Sequence, residues 1–235
     1  MEDLSFLKHL SYSNLNQFHQ CRRCWFLKYK YKYELPPSEN MELGSEVHTC
    51  IENYHNGVAQ DLSKELHYFV GSGSKKRLKW EYTLESFLSP YSEYYLPEHF
   101  DSIEGFVKAK IERKNGVLRT LPIPLLGKID RVWKKVPHDV KTSGHRFYDR
   151  DTEDRKQHGL YVYLLYKTYG YIPDRFIYDV LVKNKTPVVQ IVELPMTPEI
   201  MWEAVDYIFD TWEEMKVAEM PDYHTDECWN KDVMP

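Results

Sequence analysis

Leu126-Gly127-Lys128-Ile129-Asp130-Arg131-Val132, followed shortly by His138-Asp139-Val140-Lys141-Thr142, is the stretch whose reading decides the fold. Each apolar run carries one acid, and the second has a lysine two residues after it. Side chains of a strand alternate faces, so Asp139 and Lys141 point one way and Val140 the other. With Lys134-Lys135 as a two-residue turn, antiparallel pairing sets Trp133 opposite Val136 and Asp130 opposite Asp139. Opposed Cβ atoms lie about 4.5–5.5 Å apart, and like charges there destabilise a sheet, so the pair requires a cation or a shared proton. Two carboxylates and an ammonium on one face suit a hard divalent ion, Mg²⁺ or Mn²⁺, held against a phosphodiester. The plainer reading pairs both acids with surface lysines. Register decides, because a slip of one residue sends either acid to the wrong face.

Three further stretches bear on that site. In Gly44-Ser45-Glu46-Val47-His48-Thr49-Cys50-Ile51-Glu52, Val47, Ile51 and Tyr54 fall at helical spacing and define a buried stripe. His48 lies beside the stripe, one turn after Gly44, where a missing side chain lets another element approach. It reads as a structural histidine or as a metal ligand that favours Mn²⁺. In Gln157-His158-Gly159-Leu160-Tyr161, Gln157 and Tyr161 share a helix face one turn apart. An amide and a phenol there could contact a phosphate, or could simply edge an amphipathic helix. Glu104, early in the strand before Asn115-Gly116, reads as an edge-strand charge rather than a further acid of the site.

Taken in order, the motifs are Leu10-Ser11-Tyr12-Ser13-Asn14-Leu15…Phe18…Cys21, Gly44…His48, Gly127-Lys128-Ile129-Asp130-Arg131-Val132, Asp139-Val140-Lys141-Thr142 and Gln157…Tyr161. Together they resemble the PD-(D/E)XK nuclease superfamily, in its RecB-like branch. That branch includes nuclease domains of bacterial recombination complexes, CRISPR-associated RecB-like nucleases and many phage exonucleases. The acid before the lysine is Asp139 where many relatives carry glutamate. The resemblance implies that His48, Asp130, Asp139 and the Val140 carbonyl bind the metal. It implies that Lys141 orients or deprotonates the attacking water and offsets charge on the phosphate, while Gln157 and Tyr161 position the lysine or the strand being cut. The implied activity is that of a metal-dependent deoxyribonuclease, an exonuclease before a structure-specific endonuclease. A catalytically silent DNA-binding or assembly subunit is the alternative from another class.

The chain has 235 residues and a formal net charge of −5, which fits an enzyme domain better than a general nucleic-acid coat. A mean hydropathy of −0.61 and the lack of a long apolar run exclude a spanning helix, and no secretory pattern opens the chain. The expected setting is intracellular, in a bacterial, archaeal or phage-infected cell. Cys21-Arg22-Arg23-Cys24-Trp25-Phe26-Leu27-Lys28-Tyr29-Lys30-Tyr31-Lys32-Tyr33 and Lys75-Lys76-Arg77-Leu78-Lys79 are basic, the first interleaved with aromatics. Such stretches suit DNA, as single strands or duplex ends, with Trp25 and Phe26 in the core. No phosphate-binding loop of an ATPase is present, so unwinding would come from a helicase or recombination partner.

Hydrophobic periodicity and turn residues predict helices near Ser13–Lys30, Leu43–Asn56, Lys75–Leu88, Glu153–Tyr169 and Pro198–Glu219. Strands are expected near Ser102–Arg113, Val117–Thr120, Pro124–Trp133, Val136–Thr142, Arg175–Lys183 and Val188–Glu193. The expectation is one α/β domain of restriction-endonuclease-like type, a mixed central sheet flanked by helices. It divides into an N-terminal helical part over about 1–100, a sheet core over about 101–195 and a C-terminal helix and tail over 196–235. Cys21 and Cys24 have CxxC spacing, and His224 and Cys228 stand near the other end. The resembling family can hold an iron–sulfur cluster with one N-terminal and three C-terminal cysteines, a set this tail lacks. Cys21, Cys24, His224 and Cys228 could close a tetrahedral zinc site instead. Buried thiols left by a lost cluster are the preferred reading, with Cys50 in the core beside His48.

Overall fold

A computed structural model describes residues 4–34, 36–71, 75–99, 102–115, 117–148 and 156–225. Its centre is a five-stranded sheet in the order β3-β6-β7-β8-β9, formed by β3 (Ser102–Ala109), β6 (Leu125–Trp133), β7 (Val136–Ser143), β8 (Arg175–Val182) and β9 (Val188–Pro195). Only β7 and β8 run parallel. The chain reaches β8 from β7 through the helix α5 (Lys156–Tyr169), as a parallel pair requires. β8 is buried along almost its whole length, whereas edge strand β9, beyond the buried Val189, alternates between half-buried and exposed positions.

Each face of the sheet has its own core. One is covered by α5 and by α6 (Pro198–Val217), packed with α1 (Tyr12–Gln20) and α2 (Arg22–Trp25). Its buried residues run from Leu4 to Ala218. The other is covered by α3 (Glu39–His55) and α4 (Leu84–Ser92), with buried residues between Leu43 and Val189. Two glycines permit the tight layering of the first face. A Cβ on Gly159 would lie 2.6 Å from Ala204 Cβ, and one on Gly127 would lie 2.5 Å from Leu164 Cδ1. Thr197 caps α6 by accepting from Ile200 N–H, with Pro198 in the first turn as the sequence suggests.

The turn that fixes the register of the decisive strands is the one expected. Lys134 and Lys135 have φ of 49° and 68°, the left-handed pair of a type I′ hairpin turn, and Trp133 faces Val136.

Three expectations need correction. The segment over Lys75–Leu88 is not one helix: β2 (Arg77–Thr83) pairs with β1 (Glu65–Val70), and α4 begins only at Leu84. The N-terminal part is therefore not wholly helical. Aromatic pairing of Tyr68 with Trp80 outweighs the helix preference of leucine and lysine there. The Ser102–Arg113 strand is two, β3 and β4 (Glu112–Asn115), the latter pairing with β5 (Val117–Thr120) in a separate ribbon. The Ser13–Lys30 helix breaks at Cys21, whose backbone is extended, and finishes as a π-helical turn over Phe26–Lys30. Trp25 and Phe26 are fully buried, as expected.

Candidate active site

Pairing of β6 with β7 runs from Trp133–Val136 to Arg131–His138 and stops one step short of Asp130 and Asp139. Where the ladder ends, a side chain takes over. Asp130 Oδ2 accepts the Val140 N–H at 2.8 Å. The strands part here, and α3 brings His48 into the gap, with Nδ1 3.6 Å from Asp130 Oδ2. The helix comes this close because of Gly44: a Cβ there would sit 3.2 Å from Thr142 Oγ1.

On the same strand Lys141 Nζ lies 2.5 Å from Asp139 Oδ2. Lys141 Nζ lies 6.0 Å from the centre of the Tyr178 ring, which belongs to the core covered by α5, and Asp130, Asp139 and Lys141 all bear electrostatically on the Tyr161 phenol. Gln157 Nε2 contacts Tyr161 OH at 3.4 Å, the one-turn pair expected from spacing. The structure thus gathers His48, Asp130, Asp139, the Val140 backbone, Lys141, Gln157 and Tyr161. Glu104 lies in β3, and its side chain is outside the described part.

The electrostatics are those of a site short of positive charge. Burial raises the Asp139 carboxyl above its ordinary range, Lys141 opposes that rise, and Asp130 adds to it. Burial pulls the Lys141 ammonium down, but the charge and hydrogen bond of Asp139, then Tyr161 and Asp130, hold it above the ordinary lysine value. Burial also pushes the Tyr161 phenol up to about 12, aided by Asp139. His48 is lowered, chiefly by burial, so its ring is neutral near pH 7 and keeps a lone pair for an ion.

Two carboxylates, a neutral imidazole and a backbone oxygen are a donor set that fits a divalent ion with octahedral preferences. They are not closed into a ligand cage. Among the described residues, the set of three such donors drawn to within 4.8 Å of one another is Cys21, Cys24 and His224. Asp130 accepts the Val140 N–H, and Asp139 pairs with Lys141.

Behind the site, on the opposite face of the sheet, lies a second polar cluster that sequence reading missed. Asp179, fully buried in β8, accepts from Tyr95 OH at 2.7 Å and lies 3.1 Å from His138 Nδ1. Arg131 Nη2 stands 3.7 Å from the same carboxylate, with its guanidinium over the Tyr91 ring. The available signal was an acid inside the apolar run Phe176-Ile177-Tyr178-Asp179-Val180-Leu181, which demands a buried partner.

The basic stretches are engaged locally. Lys76 pairs with Glu39, and Lys79 lies over the Tyr68 and Trp80 rings. Lys28 and Lys30 lie over Tyr29 and Phe26. Cys50 is buried, in the core that also holds Val47. Cys228 falls outside the described residues. No helix among the described residues is long and apolar enough to cross a membrane.

A sequence model of the PD-(D/E)XK nuclease superfamily matches residues 9–230. Among solved structures, a "Putative exonuclease" from Eubacterium rectale is similar with a TM-score of 0.57 at 14% identity, over 92% of this chain and 85% of that one. The structure of SSO0001 is similar at 12% identity over 95% of this chain and 81% of that one, with a TM-score of 0.49. No curated protein matches the sequence.

Proposed function

The chain belongs to the PD-(D/E)XK nuclease superfamily, and from that membership we propose a metal-dependent deoxyribonuclease that digests DNA from its ends. The observation that carries the reading is the convergence of Asp130, Asp139, Lys141 and His48 where the β6–β7 ladder stops. Superfamily members generally use divalent metal ions. Here Asp130, Asp139, His48 and the Val140 carbonyl would hold Mg²⁺ or Mn²⁺. When bound, the ion supplies a more acidic water and neutralises charge at the phosphate.

The chain's own groups do the rest. Asp139 would help hold the ion, and Lys141, its neighbour on the same strand face, would offset charge on the scissile phosphate. Lys141 is charged in the resting protein, so its first role is to orient water and offset the transition-state charge. Tyr161, protonated at neutral pH and tied to Gln157, stands as a hydrogen-bond donor beside Lys141. The two position the lysine or the strand being cut. The motif order supports the RecB-like branch, and the name of the Eubacterium rectale protein points to action at ends. Breakage of duplex would rely on ends already open or on a helicase or recombination partner.

The test is a gel assay on one DNA in linear, closed-circular and single-stranded form, with Mg²⁺, Mn²⁺ or EDTA. Linear DNA should be shortened with either ion, and the circle and the EDTA lanes should stay intact. Asp139→Ala and Lys141→Ala should abolish cutting while circular dichroism stays unchanged. Cleavage retained in either variant would overturn the site assignment.

A further inference from the structure

The α1–α2 junction meets residues 221–225, the segment that follows α6. Arg23 Nη1 donates to the Pro221 carbonyl at 2.9 Å, and Thr225 Oγ1 donates to the Gln20 carbonyl at 2.8 Å. Between these anchors His224 Nδ1 lies 3.5 Å from Cys21 Sγ and 3.3 Å from Cys24 Sγ. We infer that Cys21, Cys24 and His224 hold a structural zinc ion that clasps the C-terminal segment to the start of the chain.

Distances carry the argument. Zinc binds thiolate at about 2.3 Å and imidazole at about 2.0–2.1 Å in tetrahedral geometry, which separates the sulfur and nitrogen donors by about 3.5 Å. Both sulfur–nitrogen separations here match that value. One imidazole nitrogen has one lone pair and accepts a single S–H, so two sulfurs converging on it fit a shared ion better than two hydrogen bonds.

The local backbone is arranged for the same purpose. The extended break at Cys21, between α1 and α2, turns its sulfur back to accept the Cys24 N–H at 3.5 Å. An amide donor to sulfur stabilises the thiolate form that a metal needs. Both cysteines are buried, and neither is in a disulfide. An iron–sulfur cluster takes four cysteines. Cys50 belongs to another core, where burial pushes its thiol up to about 11, so the chain lacks a fourth. Thiolates with one imidazole are a zinc set.

The full-length chain, expressed with zinc in the medium and purified without a metal column, is analysed by inductively coupled plasma mass spectrometry. Cys24→Ser, His224→Ala and Asp139→Ala are measured beside it. The expected result is about one zinc per chain in wild type and Asp139→Ala, and at least a roughly tenfold loss in the other two. Cobalt added to the zinc-stripped wild type should show the intense visible bands of a tetrahedral thiolate site, a readout independent of how the variants fold. Zinc absent from wild type, zinc kept by Cys24→Ser but lost from Asp139→Ala, or iron in its place would overturn the assignment. So would cobalt spectra without thiolate bands.

Discussion

Asp130 and Arg131 are neighbours in the chain, as are His138 and Asp139, yet strand alternation divides each pair between the two faces of the sheet. On one face Asp130 and Asp139 share Lys141 as their ammonium, with His48 held neutral. On the other, Asp179 is enclosed by Arg131, His138 and the Tyr95 hydroxyl, all of them buried. The composition is similar, but the balance is opposite. In the sealed cluster Asp179 has a guanidinium, an imidazole and a hydroxyl against it, whereas under the proposed function a divalent cation would complete the open one. Polar residues at the centre of a sheet therefore do not by themselves mark an active site. The shortfall of positive charge, together with the partial exposure of His48 and Lys141, is what favours the open cluster under the proposed function.

The largest expected effect that tests this contrast is catalytic. Asp130→Asn or Asp139→Asn should lower cleavage of linear DNA by roughly a thousandfold or more, since each removes a charge that acts on the reaction centre. Far-ultraviolet circular dichroism should be unchanged. An active Asp139→Asn would erase the distinction between the clusters.

Asp179→Ala should instead strike the fold. Leaving Arg131 buried without its carboxylate is expected to cost about 3–5 kcal/mol, read as a lower urea midpoint. A loss below about 1 kcal/mol would show that the sealed cluster does not anchor the sheet.

Third in size is the response to metal. Mn²⁺ or Mg²⁺ at a hundredfold excess over Kd should stabilise wild type by about 2.7 kcal/mol, seen as a rise in melting temperature. The same titration should move Asp179→Asn similarly and Asp130→Asn little. An equal response in Asp130→Asn would place the ion elsewhere.

The smallest effect probes the register behind the contrast. Lys134→Asn with Lys135→Gly should raise stability by about 1 kcal/mol, because both residues hold left-handed backbone that lysine adopts at a cost. Nuclease activity should not change. Destabilisation would mean that the turn does not set which face receives the acids.

The open cluster was legible in the sequence because only local rules were needed. A two-residue turn and strand alternation fix Asp130, Asp139 and Lys141, and helical spacing joins Gly44 to His48 and Gln157 to Tyr161. The sealed cluster was not, because His138 meets Asp179 only through the parallel β7–β8 pairing, across a helix and about forty residues of chain. No local pattern sets that register. The β1–β2 ribbon was lost for a different reason: Lys75, Lys76, Leu78 and Lys79 resemble a helix until Trp80 and Tyr82 find Tyr68 and Leu66. The two thiols and His224 were read as candidates, and their meeting depends on a tail whose path no spacing rule gives.

The core that spans Leu4 to Ala218 has a consequence for synthesis. Its partners lie far apart along the chain, so that layer cannot close until α6 has cleared the exit tunnel. The α3–α4 layer, whose buried residues end at Val189, can condense earlier. A nascent chain arrested before α6 would therefore carry one finished hydrophobic layer and one bare one, and would depend on chaperones until α6 emerges.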